Sequence, residues 1–121
     1  MSALVSRSDT ALAVGSGDLP VLATPRLAAL AEAATVAALS DRLPADLTSV
    51  GVRLEVRHAA PTVEGSRVTA TACLVAQDGP RLSFQVEVVD PEGVVGHVGV
   101  SRVLVDRAGF LARARERARQ P

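Results

Sequence analysis

The apolar residues of this chain change their spacing once, and that change limits the folds open to it more than any other feature. Between Pro25 and about Ser40 the chain consists largely of alanine and leucine, which favour helix. One face of this predicted helix carries apolar residues at helical spacing: Leu27, Leu30, Ala31, Ala34 and Ala38. The hydroxyl of Thr24, just before Pro25, is predicted to cap the start of the helix.

After Pro44 the apolar residues alternate with polar ones or glycine, which is the pattern of half-buried strands. The first of these strands has four apolar residues in phase: Val50, Val52, Leu54 and Val56. Tight turns at 78–79 and 90–93 mark off the others. Three further strands are predicted, at about residues 67–77, 82–88 and 94–105. Because tight turns join antiparallel neighbours, the sheet is predicted to be mainly antiparallel.

The order of these elements predicts an α+β fold, in which an antiparallel sheet wraps around one long helix. Residues 8–14 are predicted to form a short first strand, and Asp106 is predicted to cap a short C-terminal helix. Residues 1–121 are predicted to be a single domain with a helical tail at about 107–121. One sheet on one helix leaves apolar surface uncovered, so a homodimer or a dimer of dimers is expected.

Composition excludes several classes of protein. The 13 basic and 13 acidic residues balance and aromatic residues make up only 2%, so no nucleic-acid surface is predicted. Apolar runs are too short for a membrane helix, and the N-terminus lacks the pattern of a signal peptide. A cytoplasmic protein that binds no membrane is therefore expected. Cys73 is the only cysteine, which excludes an internal disulfide and a cysteine-based zinc site.

Three polar side chains are candidates for chemistry, and each also has a purely structural interpretation. His58 continues the in-phase series of four apolar residues that begins at Val50, so all five side chains are predicted to point towards the helix. His58 is either a histidine that ends a strand or a general acid–base or hydrogen-bond donor. Glu32 in the helix either faces solvent or, beside a histidine, acts as a nucleophile or general base. Thr24 either only caps the helix or also orients a catalytic group.

The remaining candidates favour structural interpretations. Cys73 is predicted to be a buried or half-buried thiol without activation, and His97 a structural histidine. The two histidines lack the close spacing of a zinc motif, so no metal is expected. The arginine-rich segment at 113–119 is predicted to be a solvated helix face, with binding of nucleotide phosphates as the alternative.

Taken together, these residues resemble the fluoroacetyl-CoA thioesterase-like branch of the hot-dog thioesterases. Thr24 opens the helix, Glu32 follows eight positions later, and His58 follows after 26 more, as in the family's catalytic arrangement. The step Ser49-Val50-Gly51 before the histidine and Arg102 in the last strand also match the family's pattern. The resemblance extends over about residues 21–107 and implies the hot-dog fold.

It also implies hydrolysis of acyl-CoA or acyl-carrier thioesters at a dimer interface, with no cofactor beyond the coenzyme A of the substrate. Glu32 would be the nucleophile or the base that activates water, His58 would polarise the thioester or move a proton, and Thr24 would orient its partners. The amide of Gly51 would contact the thioester carbonyl. Arg102 would bind substrate or lie at the dimer interface.

The acyl group and the activity itself stay open at this stage. Members specific for fluoroacetyl-CoA carry aromatic residues as a lid before the threonine, whereas residues 1–23 contain no phenylalanine. A short or medium acyl chain is therefore expected. The alternatives are a non-catalytic hot-dog module that binds acyl-CoA or a related small ligand, and a dimer that binds no ligand.

Overall fold

A computed structural model describes residues 1–120. A 3₁₀ helix lies at Arg7–Asp9, and the remaining elements are three α-helices and five strands. The helices are α1 (Ala11–Val14), α2 (Thr24–Leu39) and α3 (Arg107–Arg119). The strands are β1 (Ser2–Leu4), β2 (Leu47–His58), β3 (Arg67–Asp78), β4 (Arg81–Asp90) and β5 (Gly93–Asp106).

The five strands form one antiparallel sheet in the order β1-β3-β4-β5-β2, and the long helix α2 packs against one of its faces. Consecutive strands β3, β4 and β5 are joined by tight turns, as the turn residues predicted. Strand β2 pairs with β5 and leaves its other edge free. The predicted α+β fold, an antiparallel sheet curled around one long helix, is confirmed.

The core lies between α2 and the inner face of the sheet. On the helix side Leu27 is fully buried, and on the sheet side Phe84 and Val98 are. Burial of each such large apolar side chain contributes roughly 1.5–3 kcal/mol to folding. The small side chains of Ala31 and Ala34 let the helix lie close to the strands, so the predicted stripe of alanines has a packing role.

The buried stripe of α2 differs in detail from the prediction. Ala38 is exposed and Leu30 is half-buried, whereas Thr35 and Leu39 are buried near the end of the helix. The hydroxyl of Thr35 donates to the carbonyl oxygen of Glu32 at 2.7 Å, which satisfies a polar group that the apolar pattern had not marked as internal.

The prediction of a strand at residues 8–14 is wrong. The first strand is β1, and the segment after it turns through the 3₁₀ helix into α1. The side chain of Thr10 accepts a hydrogen bond from the amide of Ala13 and so caps α1, and Gly15 ends that helix with a φ of 85°. Local hydrogen bonds therefore outweigh the alternation of polar and apolar residues here.

A bulge in β2 breaks the predicted series of in-phase valines. Gly51 lies opposite Arg102, but Arg53 lies opposite Ser101, so Val52 is an extra residue in the strand. Directly opposed residues of an antiparallel pair share a face, and the side chain of Arg102 points towards α2. Gly51 therefore belongs to the inner face, and Val50 does not, contrary to the prediction.

Beyond the bulge the prediction holds again. Leu54 and Val56 lie opposite the buried residues Val100 and Val98, and His58 continues on the same face. The bulge thus places both Gly51 and His58 on the helix side, although seven positions separate them.

Within residues 1–120 no helix combines the length and the apolar character needed to cross a membrane.

Candidate active site

The side chains of Thr24 and His58 meet where α2 begins and β2 ends. Thr24 Oγ1 lies 2.8 Å from His58 Nδ1, a distance that makes a hydrogen bond in which either atom can be the donor. The prediction that Thr24 caps the helix is wrong, because Ala23 occupies the capping position and no side chain caps it. The threonine hydroxyl is thus free to orient the imidazole instead.

The second ring nitrogen of His58 is buried and has no hydrogen-bond partner among residues 1–120. Burial lowers the pKa of His58 below its ordinary value of 6.5, and the backbone of Ala60 opposes this effect more weakly. The imidazole is therefore neutral at pH 7. Its Nε2 presents either a proton or a lone pair, depending on which way the Thr24 hydrogen bond runs.

This neutral histidine predicts a loss of stability in acid. In the unfolded chain His58 binds a proton near pH 6.5, whereas in the folded protein it binds one only at lower pH. The free energy of unfolding should therefore fall as the pH drops below about 6.5, until the folded-state pKa is reached. In His58→Gln the free energy of unfolding should depend less on pH in this range, as measured by urea unfolding at a fixed protein concentration. His97→Gln, the same change on the outer face of the sheet, is the control, and equal slopes in both variants would contradict the assignment.

A cavity of about 270 Å³ opens beside the Thr24–His58 pair. Its remaining wall consists mainly of small or aliphatic side chains from α1, from the segment before α2 and from the end of β2, among them Ala11, Leu22, Ala59 and Ala60. An apolar wall of this kind next to one oriented polar group is suited to a small organic group.

Glu32 lies two turns further along α2, where a buried arginine holds its carboxylate. Arg102 Nη1 donates to Glu32 Oε2 at 3.2 Å. The side chain of Glu32 is 36% exposed and that of Arg102 only 7%. The pair therefore joins a buried cation to a carboxylate that reaches the surface, which explains how Glu32 can sit in an apolar helix without losing contact with solvent.

Gly51 gives this carboxylate its place. A Cβ atom at position 51 would collide with Glu32 Oε2, so any residue other than glycine would displace the carboxylate or the strand. The β2 bulge begins at the same residue. Without a side chain at position 51, the backbone of β2 lies directly against the carboxylate.

Within one protomer the structure brings the candidate residues together in two groups. Thr24 and His58 form one group, and Glu32, Gly51 and Arg102 form the other. Eight residues of helix separate Thr24 from Glu32, which is about 12 Å along the axis. No hydrogen bond joins the two groups among residues 1–120.

Ser49 belongs to the Ser49-Val50-Gly51 step that matches the family's pattern, but its contact with Arg102 was not predicted. Its side-chain oxygen accepts from Arg102 Nε at 2.8 Å and its carbonyl oxygen from Arg102 Nη2 at 3.1 Å. The family match gave this serine no role of its own. Only the register of β2 against β5 places it beside the arginine.

The other candidates lie away from both groups. His97 is on the outer face of the sheet between Arg57 and Glu87, beside a shallow cavity of about 400 Å³. Cys73 is exposed, so the prediction of a buried or half-buried thiol is wrong, because its partner Gln85 and Cys73 itself belong to the outer face. No group of three or more His, Cys, Asp or Glu side chains is placed to hold a metal in the described part of the chain.

The arginines of α3 are exposed, as predicted. The side chain of Asp106 caps this helix by accepting from the amide of Gly109 at 2.7 Å, which also agrees with the prediction. Arg107 donates to the carbonyl oxygens of Ala45 and Leu47, and so ties the start of the helix to the start of β2.

An antiparallel sheet curled around one long helix is the hot-dog fold, which this chain shares with solved thioesterases, enzymes that hydrolyse thioesters. The family model of the fluoroacetyl-CoA-specific thioesterases matches residues 5–108. The chain belongs to this family. The resemblance to it and the hot-dog fold, both predicted from the sequence, are thereby confirmed.

Individual relatives agree with this assignment. The fluoroacetyl-CoA thioesterase of Streptantibioticus cattleyicolor is 33% identical over 97 residues, which are 80% of this chain and 70% of that protein. A hot-dog-like protein from Thermanaerovibrio acidaminovorans superposes with a TM-score of 0.91 at 30% identity, over 100% of this chain and 90% of its own. A variant of the thioesterase FlK was solved in complex with fluoroacetate and CoA. It superposes with a TM-score of 0.89 at 28% identity, over 97% of this chain and 96% of its own.

Proposed function

We propose that this protein hydrolyses short- or medium-chain acyl-CoA thioesters with Thr24, Glu32 and His58, at a site shared by two copies of the chain. The observation that carries the proposal is the state of His58, whose Nδ1 is held by Thr24 while its buried Nε2 has no partner among residues 1–120. A buried polar nitrogen without a partner costs about 1–3 kcal/mol, a cost that a bound group would remove.

The two groups of residues supply the parts of a hydrolysis. Water adds to the thioester carbonyl carbon as Glu32 takes its proton, or Glu32 adds directly and water later releases the acid. The amide of Gly51 and His58 stabilise the negative charge on the carbonyl oxygen. The C–S bond then breaks, the thiolate receives a proton, and the products are a carboxylic acid and free CoA. The reaction needs no cofactor or metal beyond the CoA that the substrate carries.

A second copy of the chain supports this chemistry, because it can close the gap between the two groups. The free edge of β2 carries three exposed apolar side chains, Val52 at 50%, Leu54 at 40% and Val56 at 37% exposure. An unpaired edge of this kind is a template for strand pairing. Two copies of β2 that pair about a two-fold axis bury this surface and extend the sheet across both protomers.

The position of the axis decides which groups meet. Gly51 and His58 lie on either side of Leu54 in β2. If the axis passes near that residue, antiparallel pairing places Gly51 of one protomer beside His58 of the partner subunit. Glu32 then faces the Thr24–His58 pair of the other copy, and each dimer contains two complete sites. We take this homodimer as the working form of the enzyme.

The cavity beside His58 supports the substrate class. With about 270 Å³ and a wall of small side chains, it has room for an acyl group larger than acetyl. CoA rather than a carrier protein is the thiol that we propose, since FlK, a member of the same family, was solved with CoA. We propose a cytoplasmic location, where the exposed thiol of Cys73 stays reduced.

We expect the purified protein to release free CoA from an acyl-CoA series that runs from acetyl-CoA to octanoyl-CoA, with fluoroacetyl-CoA included. Turnover should be faster with acyl groups longer than acetyl, which fill the cavity better, than with fluoroacetyl-CoA, and kcat should be on the order of 1–1,000 s⁻¹. Thiol release is measured on the Cys73→Ser variant, because the exposed cysteine would otherwise react with the thiol reagent.

Calorimetry with CoA on the same samples separates the alternatives. Binding without turnover would contradict the hydrolase and favour a module that binds acyl-CoA. A lack of both binding and turnover would contradict the substrate class. Turnover that strongly favours fluoroacetyl-CoA would contradict the proposed acyl preference.

A further inference from the structure

We infer that Ser49 is a positioning residue, which acts through Arg102 to hold the carboxylate of Glu32 in one orientation. The inference rests on the proposed function, because it assigns the carboxylate a catalytic task. It concerns a contact between the first residues of β2 and the last part of β5, on the inner face of the sheet.

Arg102 makes one hydrogen bond with each of its three guanidinium nitrogens. Nε and Nη2 bind the side-chain oxygen and the carbonyl oxygen of Ser49, at 2.8 and 3.1 Å, while Nη1 binds Glu32 at 3.2 Å. A guanidinium is planar and rigid, so two contacts to one residue fix the direction in which the third nitrogen points. Ser49 therefore sets the line along which Arg102 meets the carboxylate.

The burial of Arg102 argues against contact with substrate. The residue is only 6% exposed, and a buried cation needs partners for its charge and for its N–H donors. Each of its three nitrogens donates one hydrogen bond to Ser49 or Glu32, and the low exposure leaves little of the guanidinium surface open to a ligand. Arg102 therefore supports Glu32, in place of the substrate-binding or dimer-interface role implied by the family resemblance.

The two oxygens of the carboxylate are thereby distinguished. Oε2 accepts from Arg102 and lies against Gly51, where a Cβ would collide with it. Oε1 makes no hydrogen bond among residues 1–120, although the side chain is partly exposed. Oε1 is therefore the oxygen that we assign to water or to the thioester, and the Ser49–Arg102 contact keeps it turned to the open side.

The test compares the wild type with three variants of one residue, Ser49→Ala, Ser49→Thr and Ser49→Cys, and with one control variant. Ser49→Ala removes the side-chain acceptor and should lower kcat about tenfold or more, with KM changed less than about twofold, since small displacements of a catalytic group are costly. Ser49→Cys, similar in size but a poor acceptor, should behave like alanine. Ser49→Thr keeps the hydroxyl and should keep kcat near the wild-type value. Ser101→Ala, an equivalent change on the opposite face of β5, is the control.

A second measurement does not depend on turnover. The Nε–H proton of Arg102 should exchange slowly with solvent in ¹⁵N NMR spectra of the wild type and Ser49→Thr, and quickly in Ser49→Ala and Ser49→Cys. An exchange rate unchanged by Ser49→Ala would overturn the contact itself, whatever the activity.

The kinetic results then decide the role. Wild-type kcat in Ser49→Ala would overturn the positioning role, and so would a higher KM at constant kcat, which would mean that Arg102 binds substrate. A threonine variant that folds but stays slow would also overturn it. If the wild type shows a protected Arg102 proton but hydrolyses no acyl-CoA, the proposed function fails and the positioning role fails with it, while the contact stands.

Discussion

Replacement of Glu32 by glutamine should reduce acyl-CoA turnover by about 100-fold to 10,000-fold and leave the fold and the dimer intact. Glutamine has the same shape, and its side-chain oxygen can still accept the hydrogen bond from Arg102. It cannot take a proton from water or attack a carbonyl carbon. The change therefore removes the chemistry of the carboxylate while keeping most of its contacts.

The measurement is the release of free CoA from the best substrate of the acyl series, beside the thermal midpoint and the oligomeric state of each protein. Glu64→Gln is the matched control, because Glu64 is exposed in the segment before β3 and has no hydrogen bond or ion pair among the described residues. Its turnover should equal that of the wild type.

Two results would count against a catalytic Glu32. Undiminished turnover in Glu32→Gln would mean that the carboxylate only balances the charge of Arg102. Lost turnover together with a lost dimer would mean that the ion pair supports the assembly, and the loss could then not be assigned to chemistry.

The features that the sequence predicted well are those that depend on local interactions. Helix α2 follows from a run of alanine and leucine behind Pro25, and the β3–β4–β5 hairpins follow from turn residues at fixed places. The cap of α3 by Asp106 is local in the same sense. These interactions join residues only a few positions apart, so the order of residues contains the information.

The features that the sequence predicted poorly depend on contacts between distant segments. The bulge at Val52 moves the side chains of the residues before it to the opposite face of the sheet from the one predicted. No single residue in the sequence indicates this bulge. Thr24 has every local property of a capping residue, yet its hydroxyl binds His58, 34 positions away. Cys73 is exposed because β3 turns that side of its strand outward.

The candidate site shows both kinds of feature. Thr24, Glu32 and His58 were identified because their spacing resembles that of a known family, whereas their separation into two groups requires the structure. The eight positions between Thr24 and Glu32 on one predicted helix imply a distance of about 12 Å between these two, but only the structure shows that His58 pairs with Thr24 and not with Glu32. The resemblance to a family therefore names the candidate residues, and the geometry shows that no hydrogen bond joins the two groups within one protomer.

This separation leads to a second prediction with a large effect, on mixed dimers. Glu32→Gln and His58→Ala should each be nearly inactive alone, yet a mixture refolded or co-expressed in equal amounts should recover about one quarter of wild-type activity. Random pairing makes about half of the dimers mixed. If each site takes Glu32 from one copy and His58 from the other, one site of every mixed dimer is free of both substitutions.

The same mixture distinguishes a shared site from a site within one protomer. When both residues belong to the same chain, each mixed dimer contains two damaged sites, and the mixture should be as inactive as its parents. Thr24→Ala mixed with His58→Ala is the matched control, because these residues bind each other within one protomer and no pairing can repair both. That mixture should not exceed the mean of its two parents. We expect recovery in the Glu32–His58 mixture alone, measured as CoA release at a fixed dimer concentration. If mixed dimers are shown to form but activity does not recover, the shared site is contradicted.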